Sequence, residues 1–140
     1  MTLTRTPINP WPWSLAFGFN QGELVEGAGR VLVLSGQAAA AADGSPQHIG
    51  DMAAQASLAV DNIETVLREA GMTLANVVRI NVFTTDVDAM LGAWEAMTKR
   101  FEAAGGSLTS TLVGVTRLAF PELMVEIEAT AVGAAAATGP

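Results

Sequence analysis

Apolar residues along this chain fall into short runs whose period changes from one segment to the next. Asn20 to Glu26 is strand-like, with Leu24 and Val25 inside it, and Gly27-Ala28-Gly29 reads as a turn. Val31-Leu32-Val33-Leu34 follows as a continuous apolar run of strand length. Such a run suits a strand covered on both faces, and the three pieces together predict a hairpin. The run ends at Ser35-Gly36-Gln37, and a loop centred on Asp43-Gly44 and Pro46 comes next. The period then becomes helical. Met52, Ala56, Val60, Ile63, Leu67 and Ala70 recur at spacings of three and four, which places them on one face. Asp51 is positioned to cap this helix and Gly71 to end it. Asp61, Glu64 and Arg68 lie off the stripe, and Glu64 with Arg68 forms an i,i+4 pair of the favourable order.

Val77 to Thr84 reads as a strand, with Val78, Ile80, Val82 and Phe83 in it. Asp86 or Asp88 can cap a second helix, whose stripe is Leu91, Trp94, Met97 and Phe101 and whose end is Gly105-Gly106. Two further strands are predicted near Ser110–Val115 and Met124–Val132, with Pro121 marking the connection. The order is β-β-α-β-α-β-β, an α+β arrangement in which two helices cover one face of a mixed sheet. Pro7, Pro10 and Pro12 predict an irregular segment before Trp13, and Gly133 to Pro140 reads as a frayed end. A single domain over 1–140 is expected, with a core at about 15–132 and tails at 1–14 and 133–140. Val31–Leu34 offers apolar groups on both sides, so the second face of the sheet also needs cover. A symmetric oligomer in which sheets pack together would supply it.

Composition sharpens this. Half of the residues are hydrophobic and 15% are charged, an apolar surplus for a small monomer that again points to oligomerisation. The net charge is −7, and the seven Lys and Arg are scattered, with only Lys99-Arg100 adjacent. Nucleic acid and anionic membrane, which need clustered cations, are therefore excluded as expected partners. Without cysteine there is no disulfide, thiol nucleophile or thiolate metal site. No run approaches the length of a membrane span, and Met1 to Pro7 does not resemble a signal peptide, so the expected compartment is cytoplasmic.

Few residues carry candidate chemistry. His48 is the lone histidine, with no second histidine or cysteine to join it, so neither a metal site nor a Ser–His pair is expected. Gly27-Ala28-Gly29 joins two strands rather than a strand and a helix, so it is not a dinucleotide loop. Glu126 and Glu128 alternate with Val125, Ile127 and Ala129, which puts both carboxylates on one face of the last strand. The pattern leaves open whether that face is solvated or whether a glutamate lines a cleft and activates water. Ser35-Gly36-Gln37 is either a plain strand end or a place where the backbone approaches a ligand. Trp94 fits the helical core stripe, and Phe19, in the irregular Phe17-Gly18-Phe19-Asn20, is a candidate pocket wall.

Taken together, these segments resemble a known family. Phe19-Asn20-Gln21-Gly22 followed by Val33-Leu34-Ser35-Gly36-Gln37 resembles the opening of the Rid (YjgF-like) family. Asp51-Met52-Ala53-Ala54-Gln55 with Asp61-Asn62-Ile63 looks like its first helix, and Val77-Val78-Arg79 through Val82-Phe83-Thr84-Thr85-Asp86 like its next strand. Ser110-Thr111-Leu112-Val113-Gly114-Val115 and Val125-Glu126-Ile127-Glu128-Ala129 look like its closing strands. The resemblance implies a chorismate-mutase-like fold and a homotrimer whose sheets line a central barrel. It also implies small-ligand clefts between subunits and hydrolysis of reactive enamines and imines without a cofactor. By it, Glu126 is the catalytic residue, Ser35, Gly36 and Gln37 hold substrate or water, and Phe19 forms part of the wall. Trp94, a candidate pocket wall from the residues alone, and Ser110 and Thr111 at the start of their strand complete the expected substrate-binding set.

One departure is large. Ser110, or Thr109 if the alignment slips by one, stands where the archetypal deaminases have an arginine that grips the substrate carboxylate. Neither side chain can make a bidentate charged contact. Phe19 likewise replaces the usual tyrosine, and Arg117 resembles a different family arginine. The implied ligand is neutral or anchored through another group. The implied activity is hydrolysis of imines or enamines other than 2-aminoacrylate, the alternative being a trimer that binds a small metabolite without turning it over. A structural or client-holding role rests only on the apolar content, which a subunit interface explains equally well.

Overall fold

Asp51 opens the first helix as its position predicts, its carboxylate accepting the Ala54 N–H at 3.0 Å. The computed structural model describes residues 2–136, and in it this helix, α1, is Met52–Glu69. Met52, Ala56, Val60, Ile63 and Leu67 are all buried. The other elements are β1 (Thr4–Ile8), β2 (Gly22–Glu26), β3 (Arg30–Ala38), β4 (Val77–Thr84), α2 (Val87–Ala103), β5 (Thr109–Gly114) and β6 (Val125–Gly133), with 3-10 turns at Pro12–Phe17 and Leu74–Asn76. Asp86, not Asp88, caps α2, accepting the Ala89 N–H at 3.0 Å. The α2 stripe departs from expectation at one position: Met90 is fully buried and Leu91 is 54% exposed. Glu64 departs as well. It pairs with Arg100 of α2 at 2.9 Å, alongside Asp61 at 2.8 Å, rather than with Arg68. Partial burial works against the Arg100 charge, but its hydrogen bonds to Glu64 and Asp61 outweigh that and raise its pKa above the ordinary value. The pair of carboxylates thus ties the two helices together.

The main sheet has the order β3-β6-β4-β5, parallel between β4 and β5 and antiparallel elsewhere. Both helices pack on one face of it. There β6 contributes Val125, Ile127, Ala129 and Ala131 and β4 contributes Ile80 and Val82, all buried. Gln55 is a fully buried polar group on the inner face of α1. It donates to the carbonyls of Gln47 (3.2 Å) and Glu122 (2.9 Å) and accepts the Met124 N–H (2.8 Å). All three bonds clamp loops to α1, which is how a buried amide avoids a desolvation penalty.

The opening hairpin is not formed as predicted. β2 pairs with β1 in a separate two-stranded ribbon, and β3 pairs with β6. The prolines predict no regular structure before Trp13, yet β1 is a strand with Pro7 opposite Glu23. β1 has β2 on one side only, and an edge strand tolerates a residue that cannot donate on its free side. Arg5 fastens the ribbon to the body. Its guanidinium donates to Glu23 at 2.6 Å, to the carbonyls of Val77 (3.0 Å) and Ser107 (2.6 Å), and to that of Ala75. At the other end, Gly133 closes β6 rather than opening a frayed tail, and residues 137–140 of that predicted tail lie outside the described residues. No described helix is long and apolar enough to cross a membrane.

Candidate functional site

The predicted site residues separate into two groups on opposite faces of the main sheet. The first lies on the face away from the helices. Alternation along β6 turns Glu126, Glu128 and Thr130 that way, opposite Phe83, Asn81 and Arg79 of β4. Asn81 donates to Glu128 at 2.8 Å. Glu126 is held differently. The β3–β6 register shifts between Leu34 and Gln37, and this bulge brings Gly36 down onto the Glu126 carboxylate. A Cβ added at Gly36 would lie 2.7 Å from the Glu126 carboxyl carbon, so no larger residue fits without displacing one of them. Ser35 is exposed beside it, and the Gln37 amide donates to the Ser35 carbonyl at 3.2 Å. Four predicted residues, Ser35, Gly36, Gln37 and Glu126, are therefore neighbours. Their common cause is a β-bulge that a linear reading of Ser35-Gly36-Gln37 could only describe as a strand end.

The second group lies on the helix side, at the β5 edge. Ser110 is in register with the fully buried Ile80, which places it on the opposite face from Glu126. Phe19, Trp94 and Ser110 line one groove of about 680 Å³, walled also by Trp13, Phe17 and Leu112. The Trp94 indole N–H donates to the Phe17 carbonyl at 2.8 Å and so pins the Pro12–Phe17 turn against α2. Gly18 ends that turn at φ +80°, and its missing Cβ leaves room for Thr98, whose Cβ would otherwise be 2.9 Å away. Trp13 stands edge-on to Phe17 and Phe19, with ring centroids at 6.3 and 6.0 Å. The Ser110 hydroxyl is buried and has no hydrogen-bond partner.

Thr111 goes with neither group as predicted. It follows Ser110 on a strand, so it points to the open face, where its hydroxyl accepts from Arg79 at 2.7 Å. His48 is exposed in the loop before α1. Among the described residues, no cluster of His, Cys, Asp or Glu is arranged to hold a metal ion. Trp13 is missed as a site residue because the prolines make residues up to 14 read as a tail, and Leu15 and Phe17 because they fall in an irregular stretch with no periodic pattern to aim them. The available signal was Trp13, Phe17 and Phe19 crowded into seven positions just after Pro12.

Comparisons with known proteins bear on the same residues. The family model described as Endoribonuclease L-PSP matches residues 16–133. Protein mmf2, mitochondrial, of the fission yeast Schizosaccharomyces pombe is 30% identical over 129 residues, covering 92% of this chain and 98% of the relative. A crystal structure of YyfB from Yersinia pestis, a protein of unknown function of the conserved Rid family, is 37% identical with a TM-score of 0.83, covering 91% of this chain and 98% of that one. TdcF from E. coli, solved with bound serine, is 26% identical with a TM-score of 0.67 and coverages of 92% and 94%.

Proposed function

This chain belongs to the Rid (YjgF) family, and on that premise we propose that it hydrolyses small imines or enamines other than 2-aminoacrylate, as a homotrimer with clefts between subunits. The observation that carries the reading is the seating of the Ser35–Gly36 bulge on the Glu126 carboxylate. A glycine placed there lets the backbone beside the exposed Ser35 come down against a carboxylate, and the proposed chemistry needs no cofactor. In the proposed reaction Glu126 accepts a proton from water as the oxygen attacks the C=N carbon. Glu126 returns that proton to the nitrogen. As the C–N bond of the resulting carbinolamine breaks and its C=O forms, the hydroxyl proton passes through Glu126 to the departing amine, so that ammonia and a carbonyl compound leave. One water is consumed and no electrons change hands.

Two features support the trimer. Val31 and Val33 are 60% and 74% exposed on the face that carries Glu126, and a second copy packed there would bury them. The site residues also lie on opposite faces of one chain, so Glu126 and the Ser110 groove can meet only across a subunit boundary. The bound serine of TdcF supports a cleft of small-metabolite size in a relative. The second reading, a trimer that binds a metabolite without turnover, is favoured by Ser110 standing where the archetypes anchor a carboxylate. Cleavage of RNA, suggested by the name of the matching family model, is disfavoured by the net charge of −7. For the compartment we propose the cytoplasm, on the cysteine-free composition; the fission yeast relatives are mitochondrial by name.

Ammonia release from freshly generated imines tests the reaction. Glu126→Gln is expected to lower the rate by about 100-fold or more. Hydrolysis of every accepted imine by Glu126→Gln at the wild-type rate would remove the proposed role.

A further inference from the structure

We infer that the Phe19–Trp94–Ser110 groove binds an uncharged, planar hydrocarbon group bearing one polar atom, which the Ser110 hydroxyl receives. The inference rests on the proposed reading of this groove as half of the substrate cleft, and it names the substrate class: imines of uncharged aromatic carbonyl compounds.

Three observations carry it. The first is the wall. Trp13 and Phe17 are 58% and 54% exposed although they face inward onto the groove with Phe19 and Leu112, so a large apolar surface waits for an apolar occupant. The second is the floor. The Ser110 hydroxyl is out of contact with solvent and unpartnered, a state that costs free energy until a donor or acceptor arrives. It is an unpartnered polar group beside the aromatic wall of the groove, and it can donate or accept. The third is charge. The charged residues lining the groove are Lys99, Glu95 and Glu102. Lys99 is engaged by Glu95 at 3.1 Å, and Glu102 leaves the rim net negative. Arg100 is committed to Asp61 and Glu64. A ligand carboxylate would find repulsion where a charged anchor would be needed.

Benzamide and benzoate separate the alternatives because they share shape and differ in charge. Binding of each to the full-length oligomer is measured by calorimetry and by tryptophan fluorescence, since Trp13 and Trp94 line the groove. The wild type is expected to bind benzamide at least about ten-fold tighter than benzoate. Ser110→Ala is expected to weaken benzamide by about five-fold, the effect of one neutral hydrogen bond. Ser110→Arg, checked for folding by circular dichroism, is expected to reverse the preference towards benzoate. Equal or tighter binding of benzoate by the wild type overturns the inference. So does saturable binding of neither compound, the outcome if another copy of the chain fills the groove. The hydrolase reading fails separately: benzamide binding with no imine turnover leaves the groove's ligand class standing and removes the reaction. Turnover that ignores substrate charge does the reverse.

Discussion

The two faces of the main sheet are built from the same strands by the same alternation and end in opposite states. On the helix side, Ile80, Val82, Val125 and Ile127 are fully buried. On the other side, Val31, Val33 and Val113 are 60%, 74% and 38% exposed, while the central strands present Glu126, Glu128 and Asn81. An antiparallel sheet that faces water on one side normally puts polar residues across that whole face. Here the polar groups occupy the middle and the valines sit on the edge strands β3 and β5. The helix side is complete within the chain. The open side leaves its edge-strand valines in water, and that is the side with the candidate carboxylate.

The sharpest break between the faces is a pair of truncations. Ile127→Ala removes a fully buried side chain from the centre of the core, and about 2–5 kcal/mol of stability should go with it. Val33→Ala should cost well under about 1 kcal/mol in a free protomer, where the side chain is already in water. Urea midpoints of the two variants at low protein concentration test this. A cost for Val33→Ala that equals that of Ile127→Ala at every concentration would mean the open face is buried within a single chain.

Assembly gives the next largest effect. Val33→Glu places a charge on each copy of the proposed interface, and an unpaired charge is costly to bury. A shift to monomers at micromolar concentration, read by light scattering, is the expected result, with circular dichroism unchanged. A variant that stays assembled would place the interface elsewhere on the molecule.

Gly36→Ala acts on a smaller scale. The added methyl would crowd the Glu126 carboxyl group, so the bulge or the glutamate must move, at about 1–3 kcal/mol if neither relaxes fully. Activity should fall by more than the stability loss explains. The measurement is kcat/KM beside the urea midpoint, and an unaltered kcat/KM would detach the bulge from the chemistry.

The same contrast explains what was legible in the sequence. The buried face was read well: the α1 stripe, the Asp51 cap and the β6 alternation follow from local periods of 3.6 and 2, and the helices then have only one way to bury them. Partners distant in sequence were not. β2 takes β1 rather than β3, and Arg5 fastens that ribbon to the body by reaching Glu23, Val77 and Ser107, contacts with no local signature. Leu91 and Met90 exchanged roles because a helical stripe has a margin about one residue wide, and Leu91 faces the aromatic groove. Ser110 and Thr111 are adjacent in the sequence, but adjacent strand residues point to opposite faces, so a site that takes both must draw on both faces of the sheet. Glu126 and Gly36 each stand out in the sequence, yet their contact needs a bulge whose position no pattern marks.

The smallest effect tests the comparison most finely. Asn81 donates to Glu128 in the middle of the open face. If that face stays in water, Asn81→Ala trades one hydrogen bond for hydration, and the loss should be about 0.5–1.5 kcal/mol. If a second copy covers it, Glu128 is left as a less solvated carboxylate without its donor, and the loss should rise to about 1.5–3 kcal/mol. The difference is visible within one variant. Its urea midpoint, relative to wild type, should fall further at about 100 µM protein than at about 1 µM, because mass action populates the covered state. A midpoint difference independent of concentration would mean that Glu128 keeps its water on assembly. The copies would then meet at the β3 and β5 valines and leave the carboxylates facing a solvent-filled interior.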